Sequence, residues 1–287
     1  MKATARLEGI ISRWHEWADE QPVVLEQMSG GLTNENYLVA ADDKKYVLRV
    51  NSEFDGDYNI NRDIERQVHL AAQVPQLTVP LVLSDPQAGF QITEYCSGKS
   101  LAEKSFVEMD WLSGLGSMLF NIHQLPKHGE PLDYLAHCQH YLNHAAPPRL
   151  WGSKLQQQIN LVAPLFGDMS AGERSLCHHD LGPENVLADS GRLLALDWEY
   201  ARVGSAAIDI AIVIDTHKLT TDQSDDLLQV YRKAGGSLDL DDVKKVEVVP
   251  ALFDVLWHLL YARLHDTDVD SAVIEEKLTR VEDLLSL

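Results

Sequence analysis

Cysteine, positive charge and long apolar runs are all scarce in this chain, and each shortage removes a class of protein. The three cysteines, Cys96, Cys138 and Cys177, lie far apart in 287 residues and show no C-x-x-C spacing. An odd, scattered set builds neither a disulfide framework nor a zinc site, and it suits a reducing cytoplasm, the expected compartment. Cys177 adjoins an acid-rich stretch that disfavours a thiolate, so it reads as a small buried apolar side chain and not as a nucleophile. Lys and Arg number 24 against 44 Asp and Glu, a formal net charge of −20. Nucleic acids and anionic membranes are polyanions and make poor partners for such a surface. A cationic substrate is compatible with it, and so is plain solubility. No apolar run approaches the roughly 20 residues that span a bilayer, so membrane insertion is not expected. The stretch MKATARLEGIISRWHEWADE lacks the continuous apolar core of a signal peptide. Leu7, Ile10, Ile11, Trp14 and Trp17 instead suggest an amphipathic helix.

The densest chemistry lies in CHHDLGPENVL, residues 177–187, followed by ALDWEYA, residues 195–201. Gly182-Pro183 marks a loop, Val186–Ala188 a short strand, Asp189-Ser190-Gly191 a turn, and Leu193–Leu196 a second strand ending at Asp197. A loop carrying Asp180 and Asn185 and a hairpin returning Asp197 bring three oxygen-bearing groups together. Taken singly, each of these residues would be no more than a polar turn residue. Together they supply what phosphoryl transfer from ATP needs: a carboxylate for the attacking hydroxyl, with an amide oxygen and a second carboxylate for magnesium.

The remaining pattern divides in two. Residues 23–95 are strand-rich, with turns at 29–31 and 41–44, a helix over 62–74, and two strands over 81–83 and 90–93. From Met109 the periodicity is mainly helical, over 110–124, 132–145, 152–165, 206–217, 224–234, 243–265 and 270–285, and the only strands expected are the pair beside the loop. The expected fold is α+β and bilobal. A small antiparallel-sheet lobe (1–95) binds nucleotide, and a larger helical lobe (96–287) carries the catalytic loop and the acceptor site.

HHDLGPEN followed by LDWEYA resembles the aminoglycoside phosphotransferase and choline kinase superfamily, whose fold is similar to that of protein kinases. SGGLTNENY (29–37) resembles the phosphate loop of choline and thiamine kinases, and INRDIERQVHLAAQ (60–73) resembles the helix that follows. The likeness runs from about 23 to 215. It implies that Asp180 is the catalytic aspartate, orienting or accepting the proton of the substrate hydroxyl, and that Asn185 and Asp197 hold Mg2+. It implies that Ser29, Gly30, Gly31 and Thr33 place backbone N–H groups over the ATP phosphates, glycine allowing the close approach. Most of the superfamily has a lysine in the third strand. This chain has Arg49, as choline-kinase-like sequences do, and Glu65 is its expected ion-pair partner. Lys44 and Lys45 read as solvated turn residues. Glu94-Tyr95-Cys96 matches the hinge that would hold the adenine edge through its backbone. His178 is expected to brace the loop, as is Asp209 in AIDIA. His123 is expected to be a satisfied core histidine, and Glu199 to support either the metal shell or a neighbouring backbone group.

A hydroxylated cation would sit among aromatic faces and carboxylates. The candidates are Trp198, Glu199 and Tyr200 beside the metal ligands, and Asp254, Trp257 and Tyr261 on FDVLWHLLYARL. Trp257 and Tyr261 share a helix face, although core packing would explain both equally well. The resulting expectation is an ATP- and Mg2+-dependent kinase of a small hydroxylated metabolite of choline, ethanolamine or thiamine type. The rivals are an aminoglycoside kinase and a non-catalytic nucleotide-binding pseudokinase. A protein kinase is disfavoured because D-F-G and A-P-E segments are missing.

Overall fold

The computed structural model describes residues 2–13, 22–28, 31–106, 109–171 and 174–286. Ser29 and Gly30 therefore lie outside the described residues, as do Trp14 and Trp17. Five strands form one antiparallel sheet in the order β1-β2-β3-β5-β4 (β1 Val23–Met28, β2 Glu35–Ala41, β3 Lys44–Val50, β4 Leu81–Asp85, β5 Phe90–Glu94). Tyr37, Val39, Leu48, Val50, Phe90 and Ile92 form a core on one face of the sheet. Helix α1 (Lys2–Ser12) covers it with Ile10, as the alternation of a half-buried strand requires. Between β3 and β4, helix α2 (Arg62–Gln73) starts on Asn61, whose side chain accepts from the N–H groups of Asp63 and Ile64. Beyond β5 the chain enters a two-residue strand, β6 (Lys99–Ser100).

The second region is a stack of helices: α3 (Trp111–His123), α4 (Tyr134–Ala145), α5 (Arg149–Ala171), α6 (Ala206–Thr216), α7 (Thr221–Lys233), α8 (Leu240–Lys244), α9 (Val248–Leu264) and α10 (Ser271–Leu285). One large core fills the space between them, with Leu115, Ile122, Leu155, Ile208, Leu228, Leu252 and Leu256 among its members. The helix expected over 243–265 is two helices. Pro250 falls in the first turn of α9, where a missing N–H is harmless, so the longer helix restarts there.

Strands β7 (Ser175–Cys177), β8 (Val186–Asp189), β9 (Arg192–Ala195) and β10 (Arg202–Gly204) lie within the helical region. The expectation of a single strand pair here needs correction. β6 adds to β8-β9 as a third strand, and β10 pairs with β7 in a separate ribbon, Arg202 opposite Cys177. These strands are two to four residues long, too short for hydrophobic alternation to reveal them. Ser190 and Gly191 both take positive φ, which suits the tight β8–β9 turn. No helix among the described residues is long and apolar enough to cross a membrane.

Candidate active site

Two short ribbons fix the loop that carries Asp180. β7 leads in, β10 leads out and pairs back onto it, and the β8-β9 hairpin projects between them. At the loop's base, the fully buried Asp209 carboxylate accepts from the backbone N–H of His178 at 2.8 Å and of His179 at 2.6 Å. His123 Nε2 lies 3.2 Å from the same carboxylate, and its Nδ1 lies 2.9 Å from the Tyr231 hydroxyl. Burial raises the Asp209 carboxyl, but hydrogen bonding to His123 and nearby imidazoles outweigh it and hold the group down at about 2. His178 Nε2 donates to the Leu196 carbonyl at 3.0 Å, tying the first strand of the segment to the residue before Asp197. Both His179 and Asp197 sit at positive φ, 62° and 60°, strained positions that the surrounding bonds hold in place. Gly204 is obligatory, because a Cβ there would meet the Tyr134 hydroxyl at 2.3 Å and His179 Nε2 at 2.8 Å.

Asn185 Nδ2 donates to the Asp180 carbonyl at 2.8 Å and to Asp180 Oδ2 at 2.9 Å. Those two acceptors fix the amide orientation and leave Oδ1 as its open acceptor. Asp197 Oδ1 receives Arg49 Nη1 at 2.9 Å, and the carboxylate keeps 32% of its side-chain surface exposed to the cleft. Arg49 Nη2 meets Glu65 Oε1 at 2.5 Å, and its Nε donates to Asn51 Oδ1 at 3.1 Å. Burial raises Glu65, yet Arg49 and Arg62 together bring its carboxyl below the usual range.

Arg62, which opens α2, was not singled out by the sequence reading. Its guanidinium donates to Asp55 at 2.6 and 2.9 Å, to Glu65 at 2.8 Å, to Glu199 at 2.9 Å and to Asn34 Oδ1 at 2.9 Å. Glu199 also accepts from the Thr33 hydroxyl at 2.9 Å and from Asn34 Nδ2 at 2.7 Å. One buried network therefore joins Thr33 and Asn34, helix α2 and the D-W-E-Y segment. Its available signal was a charged residue three positions before Glu65 on one helix face.

The candidate phosphate loop is described from Gly31 onward. A Cβ at Gly31 would lie 2.7 Å from the Asn34 carbonyl, so only glycine fits the tight turn. Thr33 faces Glu199 through its side chain. At the expected hinge, Tyr95 N–H donates to the Lys45 carbonyl at 3.1 Å, and Gly98 N–H reaches Cys96 Sγ at 3.3 Å. Glu94 closes β5 opposite Tyr46 with its side chain exposed. Lys45 lies 5.8 Å from the centre of the Tyr95 ring.

The proposed acceptor residues separate. Residues 198–200 form a single tight helical turn, which aims successive side chains about 120° apart. Tyr200 points to Trp257, whose Nε1 donates to its hydroxyl at 3.1 Å. Glu199 points to Arg62. Trp198 is not available to an acceptor: it is 0% exposed, packed on the His178 ring at 4.6 Å, and its Nε1 donates to Thr78 at 3.2 Å. Asp254 is also engaged elsewhere, with its carboxylate on Lys277 of α10 and on His258 Nδ1 at 3.1 Å. Trp257 stacks against Tyr261 (5.1 Å between centres) and Tyr58 (6.3 Å), and the Tyr141 hydroxyl donates to the Tyr58 carbonyl at 3.0 Å. Tyr200, three residues after Asp197, joins this aromatic cluster to the segment that follows the loop.

Burial and neighbouring carboxylates push both Asp180 and Asp197 above the usual carboxyl range. Four carboxylates (Asp55, Glu65, Asp197 and Glu199) gather around two guanidinium groups, Arg49 and Arg62. This surplus of hard oxygen donors, with the Asn185 amide oxygen open beside it, fits a small divalent cation.

Residues 24–246 match the profile of the family described as "Phosphotransferase enzyme family". Protein LicA of Haemophilus influenzae is 25% identical over 208 residues, covering 70% of this chain and 61% of that protein, so the chain spans less than two thirds of that relative. Thiamine kinase of Salmonella typhimurium is 26% identical over 189 residues, covering 64% of each. Among solved structures, choline kinase LicA from Streptococcus pneumoniae superposes with a TM-score of 0.78 at 20% identity, over 97% of this chain and 98% of that one. Aminoglycoside phosphotransferase APH(4)-Ia gives 0.68 at 17% identity, over 99% and 98%. The bilobal kinase-like fold follows from these superpositions.

Proposed function

The chain belongs to the phosphotransferase enzyme family, and from that premise we propose that it transfers the γ-phosphate of ATP to the hydroxyl of a small cationic metabolite of choline, ethanolamine or thiamine type. It is an enzyme with an alcohol acceptor, and its nucleotide is held by the sheet lobe, residues 1–95, with the acceptor in the helical lobe, 96–287. The observation that carries this reading is two pairs of contacts, Asn185 on Asp180 at 2.8 and 2.9 Å and Arg49 on Asp197 at 2.9 Å, linked where the Leu196 N–H donates to the Asn185 carbonyl at 2.8 Å.

Asp180 accepts the proton of the acceptor hydroxyl, whose oxygen attacks the γ-phosphorus as the bond to the β-γ bridging oxygen breaks and ADP leaves. Asn185 Oδ1 and the open side of Asp197 would hold Mg2+, which would offset charge on the phosphates. Arg49, with Nη1 on Asp197 and Nη2 on Glu65, receives the phosphate tail together with the backbone around Gly31 and Thr33. Glu94, Tyr95 and Cys96 line the adenine edge through their backbone. Tyr200 and Trp257 receive the cationic end of the acceptor by ring-face attraction. The pairing of Trp257 with Tyr200, three residues after Asp197, favours a small cation over an aminoglycoside, which needs a wide acidic groove. The full set of reacting groups weighs against a pseudokinase.

Purified protein assayed for ADP formation with MgATP and choline, ethanolamine, thiamine and an aminoglycoside tests the reading. Turnover with at least one of the three small amines is expected. Turnover with the aminoglycoside alone, or with none while MgATP still binds, rejects the acceptor class. Asp180→Ala should lower kcat by roughly 10²–10⁴-fold with nucleotide affinity preserved. An active variant would remove the role given to Asp180.

A further inference from the structure

Connectors between a strand and a helix ordinarily run over the surface. The connector between β3 and α2, residues 51–61, instead crosses to the helical lobe and is fastened there at three successive carbonyls. His140 Nε2 donates to the Asp57 carbonyl at 2.8 Å, the Tyr141 hydroxyl to that of Tyr58 at 3.0 Å, and Arg202 Nη2 to that of Asn59 at 3.1 Å. Beside this seam lies a cavity of about 320 Å³, bordered by Asn59, Glu130, Asp133, His137 and Arg202 among others. That volume is at the lower end of small-molecule sites. Asp180, Asn185, Asp197, Tyr200 and Trp257 do not line it, so it is separate from the site described above.

The inner wall of the cavity is cationic and short of partners. Arg202 is 9% exposed, and its Nη1 donates to the Ala201 carbonyl at 2.8 Å as its Nη2 does to Asn59. Both acceptors are uncharged, and among the described residues no carboxylate pairs with this guanidinium. A buried charge is ordinarily paired. Burial lowers the Arg202 pKa, and the charge of Glu65, already shared by Arg49 and Arg62, does not offset it. His137 adds a donor to the same wall. Its Nδ1 accepts from Asn59 Nδ2 at 3.1 Å, so the neutral ring carries its proton on Nε2. No described residue accepts that proton, and Nε2 is not among the atoms sealed from solvent, so it opens on the cavity that His137 lines. Asn59 holds its two contacts from φ 56°, a left-handed position that non-glycine residues seldom occupy. At the mouth the charge changes sign, because Glu130 and Asp133 are both exposed there. Asp133 Oδ1 caps α4 through the Ala136 N–H at 2.9 Å, which leaves Oδ2 open.

We propose that this cavity binds a small zwitterion, with its carboxylate on the Arg202 guanidinium and His137 Nε2 and its ammonium at Glu130 and Asp133. A planar carboxylate matches the guanidinium fork and supplies the missing counter-charge. The two acids at the mouth, on a chain of formal net charge −20, disfavour a polyanion such as phosphate and favour a second group of positive sign. Arg202 opens β10 opposite Cys177, and the Asn59 carbonyl that it holds belongs to the sheet lobe, so an occupant braces the seam between the lobes.

The probe is γ-aminobutyrate, which has a carboxylate and an ammonium but no hydroxyl. It cannot accept a phosphoryl group, so the outcome does not depend on the acceptor class proposed above. Wild-type protein labelled with 15N-histidine is titrated with it, with butyrate and with butylammonium, the His137 signal being the one absent from His137→Gln. γ-Aminobutyrate should move the His137 Nε2 resonance saturably and raise the melting temperature. Butyrate should move it with an affinity roughly tenfold lower, and butylammonium should leave it fixed. Arg202→Lys keeps the charge and loses the fork, and should weaken γ-aminobutyrate binding by roughly tenfold. A His137 signal unmoved by both carboxylates overturns the proposal, as does a shift produced by butylammonium alone or unchanged affinity in Arg202→Lys. Equal affinity for butyrate and γ-aminobutyrate rejects the zwitterionic class, and tighter binding of inorganic phosphate than of either rejects a carboxylate site. Should Arg202→Lys fail to melt cooperatively, the wild-type titration decides by itself.

Discussion

Arg62→Met removes a charge and five hydrogen bonds while keeping a long apolar stem. The three carboxylates it serves would fare differently. Asp55 keeps 28% of its side chain exposed and can be hydrated, and Glu65 retains Arg49 at 2.5 Å. Glu199 is 2% exposed and would be left with only the Thr33 hydroxyl and the Asn34 amide. Removing one partner from a buried ion pair costs about 3–5 kcal/mol. For a chain of this size that corresponds to a fall of roughly 6–20 °C in melting temperature. Glu199→Gln removes the charge that Arg62→Met strands, so the double variant should be less destabilised than the two single losses together, by at least ~1 kcal/mol. Urea denaturation of the four proteins gives this coupling directly. Losses that add to within ~0.5 kcal/mol would show that the pair does not interact, and would refute the claim that Arg62 joins the two lobes.

Asp209→Ala leaves the buried N–H groups of His178 and His179 without an acceptor. At ~1–3 kcal/mol for each orphaned donor, calorimetry should show a lower melting temperature, with kcat falling far more than the ATP KM changes. Burial, assisted by the nearby imidazoles, holds His137 neutral and its pKa at about 3, against 6.5 for an ordinary histidine. The unfolded chain then takes up a proton that the folded one refuses, so stability is lost as pH falls below about 6.5, toward 3. Between pH 7 and 5 the wild type should lose ~2 kcal/mol more than His137→Gln, as read from urea midpoints at each pH. Equal losses would contradict the assignment. Asn185→Ala should raise the Mg2+ concentration needed for half-maximal turnover at least tenfold, with EDTA abolishing turnover and added Mg2+ restoring it in the wild type.

The grouping of Asp180, Asn185 and Asp197 was legible because they lie within 18 residues and because Gly182-Pro183 and Ser190-Gly191 announce the turns that fold them together. The pairing of Arg49 with Glu65 was legible from a strand followed by a helix in register. The reading missed the Arg62–Glu199 bond, which spans 137 residues and forms only once α2 docks beneath the D-W-E-Y turn. Trp198 was misplaced because neighbours in sequence were assumed to be neighbours in the site, whereas a tight turn sends them in three directions. Tyr58 went unnoticed for a related reason: a polar connector gives no periodic signal, and its burial depends on donors more than 75 residues away.

The pairing of β10 with β7 makes residues 178–201 a closed cassette, hydrogen-bonded at its own mouth and anchored below by Asp209. The aromatic residues around it come from α4, α9 and the 51–61 connector, all separate in the chain. Those three segments can therefore change independently of the cassette, so a lineage can drift from one alcohol to another while its phosphate-handling parts stay fixed. Exchange of 51–61, 134–145 and 248–264 as a set, with 178–201 untouched, is the engineering route that this separation opens.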